Sequence, residues 1–320
     1  MKFKIESRQI WEFGQRKDSQ GNPHQEDNIF PSYGKTKASD RLFILCDGMG
    51  GHDAGEVASE TVCQAMSESI TKSNPDAEGV FTDECLQNAI FHAYEALDAH
   101  DTAAEKKMGT TMTLLKLFKK GACVAHMGDS RVYHIRPGKT ADDTKILFRT
   151  EDHSLVNDLV RIGELTPEEA AHSKQKNVIT RAMQPGRERR SRADVKWIAD
   201  IRPGDYFYMC SDGMLEEMTD KQLCYHFSHT AGDIDKKVKN LADATAQNKD
   251  NHTAFIIHII EVDGKKTEVL KHCSISPFPT KHKSENKKWV FIAIIAAIIL
   301  ALLTYLLLSH TKGLSAIQIF

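Results

Sequence analysis

The sequence predicts a layered α+β domain with antiparallel sheets, followed by one transmembrane helix. Two observations predict the domain. Short β-like runs are separated by turns that contain Gly121 or the pair Gly128-Asp129, and strands joined by tight hairpin turns pair antiparallel. Longer segments with apolar residues at helical spacing lie between groups of strands, so the helices can pack side by side on a sheet.

Each predicted element follows from its local pattern. Helices are expected where apolar residues recur every three or four positions, at 54–70, 84–99, 220–227 and 234–247. Strands are expected where short apolar or β-branched runs lie between turn signals, at 42–46, 110–118, 122–127, 131–135, 146–148, 194–198, 205–210 and 253–260. Two short helices are expected after 148, and the second starts with a capping box, Thr166-Pro167-Glu168-Glu169.

The composition is that of an ordinary globular protein. The 320 residues are 41% hydrophobic and 27% charged, enough for one large domain or two small ones. A formal net charge of −2 provides no basic field, which argues against nucleic-acid binding as the main activity. Seven scattered cysteines without a CxxC pair indicate a reducing compartment, not a disulfide framework or a zinc ribbon.

The last part of the chain predicts a membrane anchor. Residues 289–308 are 20 residues without a charge, and a helix of that length measures about 30 Å, the thickness of a bilayer's hydrocarbon core. More lysines precede this stretch than follow it: Lys281, Lys283, Lys287 and Lys288 against Lys312. This excess predicts a single-pass membrane protein whose N-terminal domain faces the cytoplasm. The predicted organisation is a domain at 1–264, a polar and basic linker at 265–288, the span at 289–308 and a short tail at 309–320.

Two aspartates come directly after apolar runs that are predicted to be buried strands. Asp47 follows residues 42–46 and precedes Gly48, and Asp212 follows residues 206–211. A strand that ends in an acid and then turns directs the carboxylate into a cleft, and glycine allows a ligand to approach the backbone closely. Either pair taken alone is equally compatible with an ordinary turn or a helix cap.

Acidic residues near both ends of the domain add to these two. Glu26-Asp27 lies near its start and Asp250-Asn251 near its end, so four distant segments together suggest one metal site. Carboxylates, backbone carbonyls and water are the ligands that Mg²⁺ and Mn²⁺ prefer, and no His-Cys cluster points to zinc. Two such ions about 3.5–4 Å apart are the usual arrangement for in-line displacement at phosphorus.

The order of these motifs resembles that of the metal-dependent serine/threonine protein phosphatases of the 2C type, bacterial-like members included. The resemblance covers about residues 8–262 and rests on Asp47-Gly48-Met49-Gly50-Gly51-His52 and on motifs that follow it in the family's order: Gly109-Thr110-Thr111, Gly128-Asp129-Ser130-Arg131, Asp152-His153-Ser154, Ile179-Thr180-Arg181-Ala182, Ser211-Asp212-Gly213 and Asp250-Asn251. It implies a four-layer sandwich of two antiparallel sheets flanked by helix pairs, with a mobile flap at about 152–180.

The resemblance also implies an activity and a set of ligands. The expected reaction is hydrolysis of phosphoserine and phosphothreonine in proteins by a hydroxide that bridges two Mn²⁺ or Mg²⁺ ions. The protein would oppose a serine/threonine kinase in signalling at the membrane. The residues expected at the metal centre are Asp27, Asp47, Asp212 and Asp250, the carbonyl of Gly48, Glu26 beside a bound water, and Asp129 for a third ion.

The residues that bind the substrate phosphate and protonate the leaving group stay open. Family members usually carry an arginine five residues before the first metal-binding aspartate, and Asn22 occupies that place here. Arg16 or Lys17 could reach the phosphate if residues 18–21 are looped out, and the guanidinium of Arg16 would be the better clamp. His52 or a metal-bound water could protonate the leaving group, although His52 is equally compatible with a structural role in its turn.

Two other classes of function are alternatives. A catalytically silent module that binds phosphorylated proteins would lack metal ligands, and none is missing here. A phosphoesterase that acts on nucleotides or small phosphates would use the same metals. Parallel assays on a phosphopeptide and a nucleotide distinguish that alternative from a protein phosphatase.

Overall fold

The computed structural model of the protein describes residues 1–263, apart from 19, 51–53, 75–78, 101–107 and 187–189. Proximity of Cα atoms divides the chain into two units, Met1–Thr267 and Glu268–Phe320. The predicted linker, transmembrane segment and tail, 265–320, lie outside the described residues. Within the described part, none of the helices has the length and apolar character needed to cross a membrane.

Strands in the described residues form two antiparallel sheets. Their bounds are β1 Lys2–Glu12, β2 Asp27–Phe30, β3 Leu42–Met49, β4 Gly109–Thr110, β5 Met112–Phe118, β6 Gly121–Met127, β7 Arg131–Arg136, β8 Lys145–Arg149, β9 Asp194–Ile198, β10 Tyr206–Cys210 and β11 His252–Asp263. The first sheet has the order β1-β11-β10-β7-β8. The second has the order β2-β3-β5-β6-β9, and the short β4 pairs with β3.

In the described part of the chain, all the α-helices except the first begin at a side chain that accepts a hydrogen bond from a free backbone N–H group. Their bounds are α1 Ala54–Ser73, α2 Asp83–Asp98, α3 Leu155–Arg161, α4 Pro167–His172, α5 Asp220–Phe227 and α6 Ile234–Thr245. The predicted capping box is confirmed at α4: Thr166 Oγ1 accepts from the Glu169 N–H at 3.2 Å, and the Glu169 carboxylate accepts from the Thr166 N–H at 2.8 Å. A second capping box, Thr219 with Gln222, starts α5.

Three apolar clusters show that these elements stack in four layers. Alternate side chains of β3 face opposite sides of its sheet, as the pleat of a strand requires: Ile44 packs with α1 and α2, whereas Phe43 packs between the two sheets. There the Phe43 ring meets Phe255 of the other sheet edge to face, with centroids 5.3 Å apart. A third cluster lies between the first sheet and α5 and α6. The predicted sandwich of two antiparallel sheets flanked by helix pairs is confirmed.

One predicted hairpin is wrong. Gly121 does lie in a hairpin, where it starts β6 and pairs with Phe118 of β5, but Gly128-Asp129 carries the chain from β6 in one sheet to β7 in the other. Gly128 has φ +107°, and a Cβ there would lie 2.5 Å from Thr111 Cγ2. The glycine is therefore needed for a close approach at the crossover between the sheets.

The first strand, β1, pairs antiparallel with the last strand, β11, along its whole length. The register runs from Lys2 opposite Asp263 to Glu12 opposite His252. The ends of β1, β3 and β10 and the start of β11 therefore meet at one end of the two sheets. The described chain stops at Asp263, at the opposite end of β11.

Candidate metal centre

Four chain segments bring carboxylates to this end of the sheets. Asp27 starts β2 and lies directly opposite Asp47 of β3. Asp212 opens a 3₁₀ helix that is separated from β10 by Ser211 alone, and Asp250 precedes β11. The expectation that the chain turns at Asp47-Gly48 is wrong, because β3 continues through Met49 and Gly48 pairs with Thr110 of β4.

Glycines allow the segments to lie this close. A Cβ on Gly48 would be 2.1 Å from the carbonyl oxygen of Gly55 and 2.7 Å from that of Glu26. A Cβ on Gly213 would be 2.1 Å from the carbonyl oxygen of Asn251. The two Asp-Gly pairs, which the sequence presented as turns, therefore mark contacts between backbones.

Asn251 ties three of the segments together. Its Oδ1 accepts from the Glu26 N–H at 2.8 Å, and its Nδ2 donates to the carbonyls of Phe13 and His24, both at 2.8 Å. The Glu26 carbonyl in turn accepts from the Gly48 N–H at 3.0 Å and from Ser59 Oγ at 2.6 Å. This role of Asn251 is not predicted from the sequence, where its place after Asp250 in a matched motif is the only signal.

Uncharged groups hold the two central aspartates. The Asp47 N–H donates to Thr111 Oγ1 at 3.0 Å, and its carbonyl accepts from Thr110 Oγ1 at 2.9 Å. Ser211 Oγ donates to Asp27 Oδ2 at 2.9 Å and accepts from the Thr253 N–H at 3.0 Å. These contacts fix the positions of the acids without neutralising their charge.

The carboxylates at this end of the sheets form an acidic cluster: Glu26, Asp27, Asp47, Asp129, Asp212 and Asp250. Burial makes the negative charge of this cluster unfavourable unless positive charge is added. Asp27 is 2% exposed and Asp129 7%. Burial, reinforced by neighbouring carboxylates such as Asp212, raises the pKa of Asp27 to about 8 and that of Asp129 to about 7. Burial and the nearby acids likewise raise the pKa of Asp212 to about 6 and that of Asp47 well above its usual range. These carboxylates cannot all be ionised near neutral pH unless positive charge lies among them.

The donor atoms fit a hard divalent cation. Asp27 Oδ1 and Asp129 Oδ1 are buried and have no hydrogen-bond partner among the described residues. A buried carboxylate oxygen without a partner is costly, and a bound cation removes that cost. Oxygen donors from several carboxylates suit Mg²⁺ or Mn²⁺ better than softer metals.

Arg16 lies at the edge of the acidic cluster. Its Nε and Nη2 donate to the two carboxylate oxygens of Asp250 at 2.6 and 2.9 Å, and its Nη1 lies 3.7 Å from Glu26 Oε2. The next residues leave the site in a hairpin, because Lys17 pairs with Pro23 and the Asp18 carboxylate accepts from the Asn22 N–H at 2.8 Å. The looped-out segment on which the choice of Arg16 depended is therefore present.

The other predictions for the site concern Asp129, the flap and His52. Asp129 lies in the crossover between β6 and β7, where Gly128 N–H donates to His153 Nδ1 at 3.1 Å. The segment predicted as a flap contains α3 and α4 and is joined at its base by a bridge between Ser154 and Ile179. His52 lies outside the described residues.

In a second cluster of possible metal ligands, both ring nitrogens of His153 and both carboxylate oxygens of Asp194 are already used in hydrogen bonds. His126, His153 and Asp194 lie close together, and the two imidazole rings stack with centroids 4.5 Å apart. His153 Nδ1 accepts from the Gly128 N–H, so its Nε2 carries the proton that it donates to Asp194 Oδ2 at 3.1 Å. This cluster is a hydrogen-bonded support for the crossover that holds Asp129.

Comparison with known proteins identifies protein phosphatases as relatives of this chain. Residues 13–251 match the family model described as protein phosphatase 2C. A putative protein phosphatase 2C-type of Streptococcus pyogenes serotype M6 is 31% identical over 222 residues, which is 68% of this chain and 85% of that protein. Protein phosphatase PhpP of Streptococcus pneumoniae serotype 2 is 32% identical over 187 residues, which is 58% of this chain and 72% of that protein.

Two crystal structures share the fold. That of the Mycobacterium tuberculosis serine/threonine phosphatase PstP/Ppp has a TM-score of 0.65 and 25% identity, and the match covers 80% of this chain and 99% of that one. The catalytic domain of PstP in complex with two manganese ions has a TM-score of 0.63 and 25% identity, again over 80% and 99% of the two chains.

Proposed function

Because this chain belongs to the protein phosphatase 2C family, we propose that its acidic cluster is the site at which the protein removes phosphate from phosphoserine and phosphothreonine. The chain is a protein serine/threonine phosphatase that uses Mn²⁺ or Mg²⁺, two ions per site. The observation that carries the assignment of the site is the convergence of carboxylates from four segments, together with the buried oxygens Asp27 Oδ1 and Asp129 Oδ1, which have no partner among the described residues.

In this proposal each residue has a definite role. The ions are held by Asp27, Asp47, Asp212, Asp250 and the carbonyl of Gly48, with Glu26 beside them and Asp129 available to a third ion. When bound, the ions lower the pKa of a water molecule and neutralise charge on the phosphoryl group. Asn251, Ser211 and Thr111 keep the carboxylates in place through the hydrogen bonds described above.

The cysteines nearest the site are unsuited to nucleophilic catalysis. Cys46 and Cys210 are fully buried, and burial raises the pKa of Cys210 to about 12 and that of Cys46 well above its usual range. The thiolate is the reactive form of cysteine. A mechanism without a covalent phosphoenzyme on these residues is therefore the one that the site supports.

The assay that tests this function compares metals and substrates. The full-length protein with Mn²⁺ is expected to release phosphate from a phosphothreonine peptide, to lose this activity in EDTA and to regain it when Mn²⁺ is added in excess. The rate of phosphate release from a nucleoside triphosphate, measured side by side, tests the phosphoesterase alternative. Faster hydrolysis of the nucleotide than of the peptide would contradict the proposal, as would failure to hydrolyse any phosphopeptide.

We also propose that residues 289–308 anchor the phosphatase at the membrane with its catalytic domain in the cytoplasm, where it opposes a serine/threonine kinase in signalling. The support is the uncharged 20-residue stretch and the lysines that precede it. A kinase that phosphorylates the same proteins is the partner that this chemistry requires.

Cell fractionation tests the anchor. When the chain is expressed in bacterial cells, the full-length protein is expected to stay in the membrane fraction after washes with high salt and with alkaline carbonate, because a spanning helix is not held by charge. A chain that ends at residue 288 is the matched control and is expected in the soluble fraction. Release of the full-length protein by either wash would rule out a spanning helix.

A further inference from the structure

A cavity of about 470 Å³ adjoins the acidic cluster. Asp129 and Asp212 of the cluster are among its lining residues, together with residues of α3 and α4. Its volume is in the range of sites that bind small molecules or individual side chains of a larger ligand. The cavity is therefore continuous with the site proposed for the phosphate.

α3, α4 and the 3₁₀ helix contribute an apolar patch to the lining of the cavity. The patch consists of Val156, Val160, Pro167, Ala170 and Leu215, and the same helices also contribute the polar residues Asn157 and Asp212. Val156 is 6% exposed and Ala170 is 7% exposed. An apolar side chain that enters the cavity moves from water onto an apolar surface that is already formed.

Charged groups in the wall are mostly engaged. Arg131 Nε and Nη2 each donate to the Asp152 carboxylate at 2.6 Å, and Arg149 Nη1 donates to Asp220 at 2.7 Å. The Glu216 carboxylate accepts from the N–H groups of the loop before β11, including that of Asp250 at 2.9 Å. Besides Asp129 and Asp212 of the acidic cluster, the exposed Lys176 adds a positive charge to the lining. Because these charges are paired, the apolar patch is the part of the lining that can accept an apolar side chain, and the positive charge of Lys176 disfavours a basic residue.

We propose that this cavity is a substrate subsite that receives an apolar side chain of the phosphoprotein, a few residues from the phosphorylated one. The inference rests on the proposed function, since it takes the phosphate to lie at the acidic cluster. An extended chain advances about 3.3 Å per residue, so residues close to the phosphoresidue must lie next to that cluster. The cavity is the space that the structure provides beside Asp129 and Asp212.

A peptide series tests the preference. Phosphothreonine peptides that carry leucine, aspartate or lysine at each position from four before to four after the phosphoresidue are compared on the full-length protein with Mn²⁺. At one position on one side, kcat/KM is expected to be about tenfold higher for leucine than for lysine, mainly through KM, since a well-filled apolar pocket discriminates by about this factor. Equal rates for all three residues at every position would overturn the proposal.

A matched pair of variants tests the location. Ala171 lines the cavity and is the penultimate residue of α4, and Ala244 is exposed at the penultimate position of α6, away from the cavity. Ala171→Glu is expected to lower kcat/KM for the leucine peptide at least fivefold more than for p-nitrophenyl phosphate, which is too small to reach the cavity. Ala244→Glu is expected to leave the ratio of the two activities unchanged.

The outcomes separate the two proposals. An equal loss on the peptide and on p-nitrophenyl phosphate in Ala171→Glu would overturn the subsite, because the change would then act on the acidic cluster or on folding. A wild-type protein that hydrolyses phosphopeptides without any positional preference would overturn the subsite and leave the phosphatase assignment intact. Absence of phosphate release from every peptide would contradict the proposed function itself.

Discussion

Replacement of Asp47 by asparagine is expected to lower kcat/KM for a phosphothreonine peptide at least about a hundredfold, because loss of one charged metal ligand removes electrostatic stabilisation at the reacting phosphate. Asparagine preserves the shape of the side chain. The backbone of Asp47 is held by Thr110 and Thr111, not by its carboxylate, so the fold should persist. Steady-state kinetics at saturating Mn²⁺ measure the loss of catalysis, and calorimetric titration with Mn²⁺ measures the loss of metal affinity.

Stability gives an independent check with an opposite sign. Burial and the neighbouring Asp27 and Asp212 raise the pKa of Asp47 well above its usual range. A carboxyl whose pKa is raised by folding contributes less stability as the pH rises above about 4, the ordinary pKa of the unfolded chain. In EDTA at pH 8, Asp47→Asn is therefore expected to have a Tm equal to or above that of the wild type, and a smaller increase in Tm when Mn²⁺ is added.

The control for this experiment is Asp243→Asn, which changes an exposed aspartate of α6. It should match the wild type in activity and in both Tm measurements. A Tm of Asp47→Asn that falls by the same amount with and without Mn²⁺ would indicate a general folding defect. Activity within a few fold of the wild type would contradict the assignment of Asp47 as a metal ligand.

Local patterns were sufficient for most elements and for the convergence of the acids, but not for strand partners. Strand β1 was not predicted, although buried Phe3 and Ile5 alternate with exposed Lys2 and Lys4 in the way typical of a strand. Its partner β11 is at the other end of the domain's sequence, and Lys2 lies opposite Asp263 in the sheet. Such pairing depends on burial between sheets and is not encoded in any short segment.

The same limit explains the errors at glycine. Gly48 and Gly128 both have the local signature of a turn, yet β3 continues through Gly48 and the chain changes sheets at Gly128. In both places the absence of a Cβ serves a close approach by another segment, Gly55 and Glu26 in one case and Thr111 in the other. A sequence shows that a glycine is present, whereas its neighbours in space decide which of its properties is used.

Replacement of Arg16 by alanine is expected to lower kcat/KM between about tenfold and a hundredfold, mainly by raising KM, for a phosphopeptide and for p-nitrophenyl phosphate alike. A guanidinium that binds two phosphate oxygens makes charge-assisted bonds of high strength. Arg16→Lys should recover only part of the loss, because an ammonium lacks the planar fork. Lys17→Ala, at an exposed neighbour in the same hairpin, is the control and should leave KM unchanged.

Metal affinity decides between two roles for Arg16. In the structure its guanidinium binds both oxygens of Asp250 and lies near Glu26, so it is either a phosphate clamp at rest on a metal ligand or a permanent support for Asp250. Removing a cation from beside carboxylates favours a divalent ion at the same place. A phosphate clamp therefore predicts Mn²⁺ affinity that is unchanged or higher in Arg16→Ala, together with a raised KM. A KM that returns to the wild-type value at saturating Mn²⁺, with weaker Mn²⁺ binding, would assign Arg16 to the support of Asp250, and the phosphate would then need another partner.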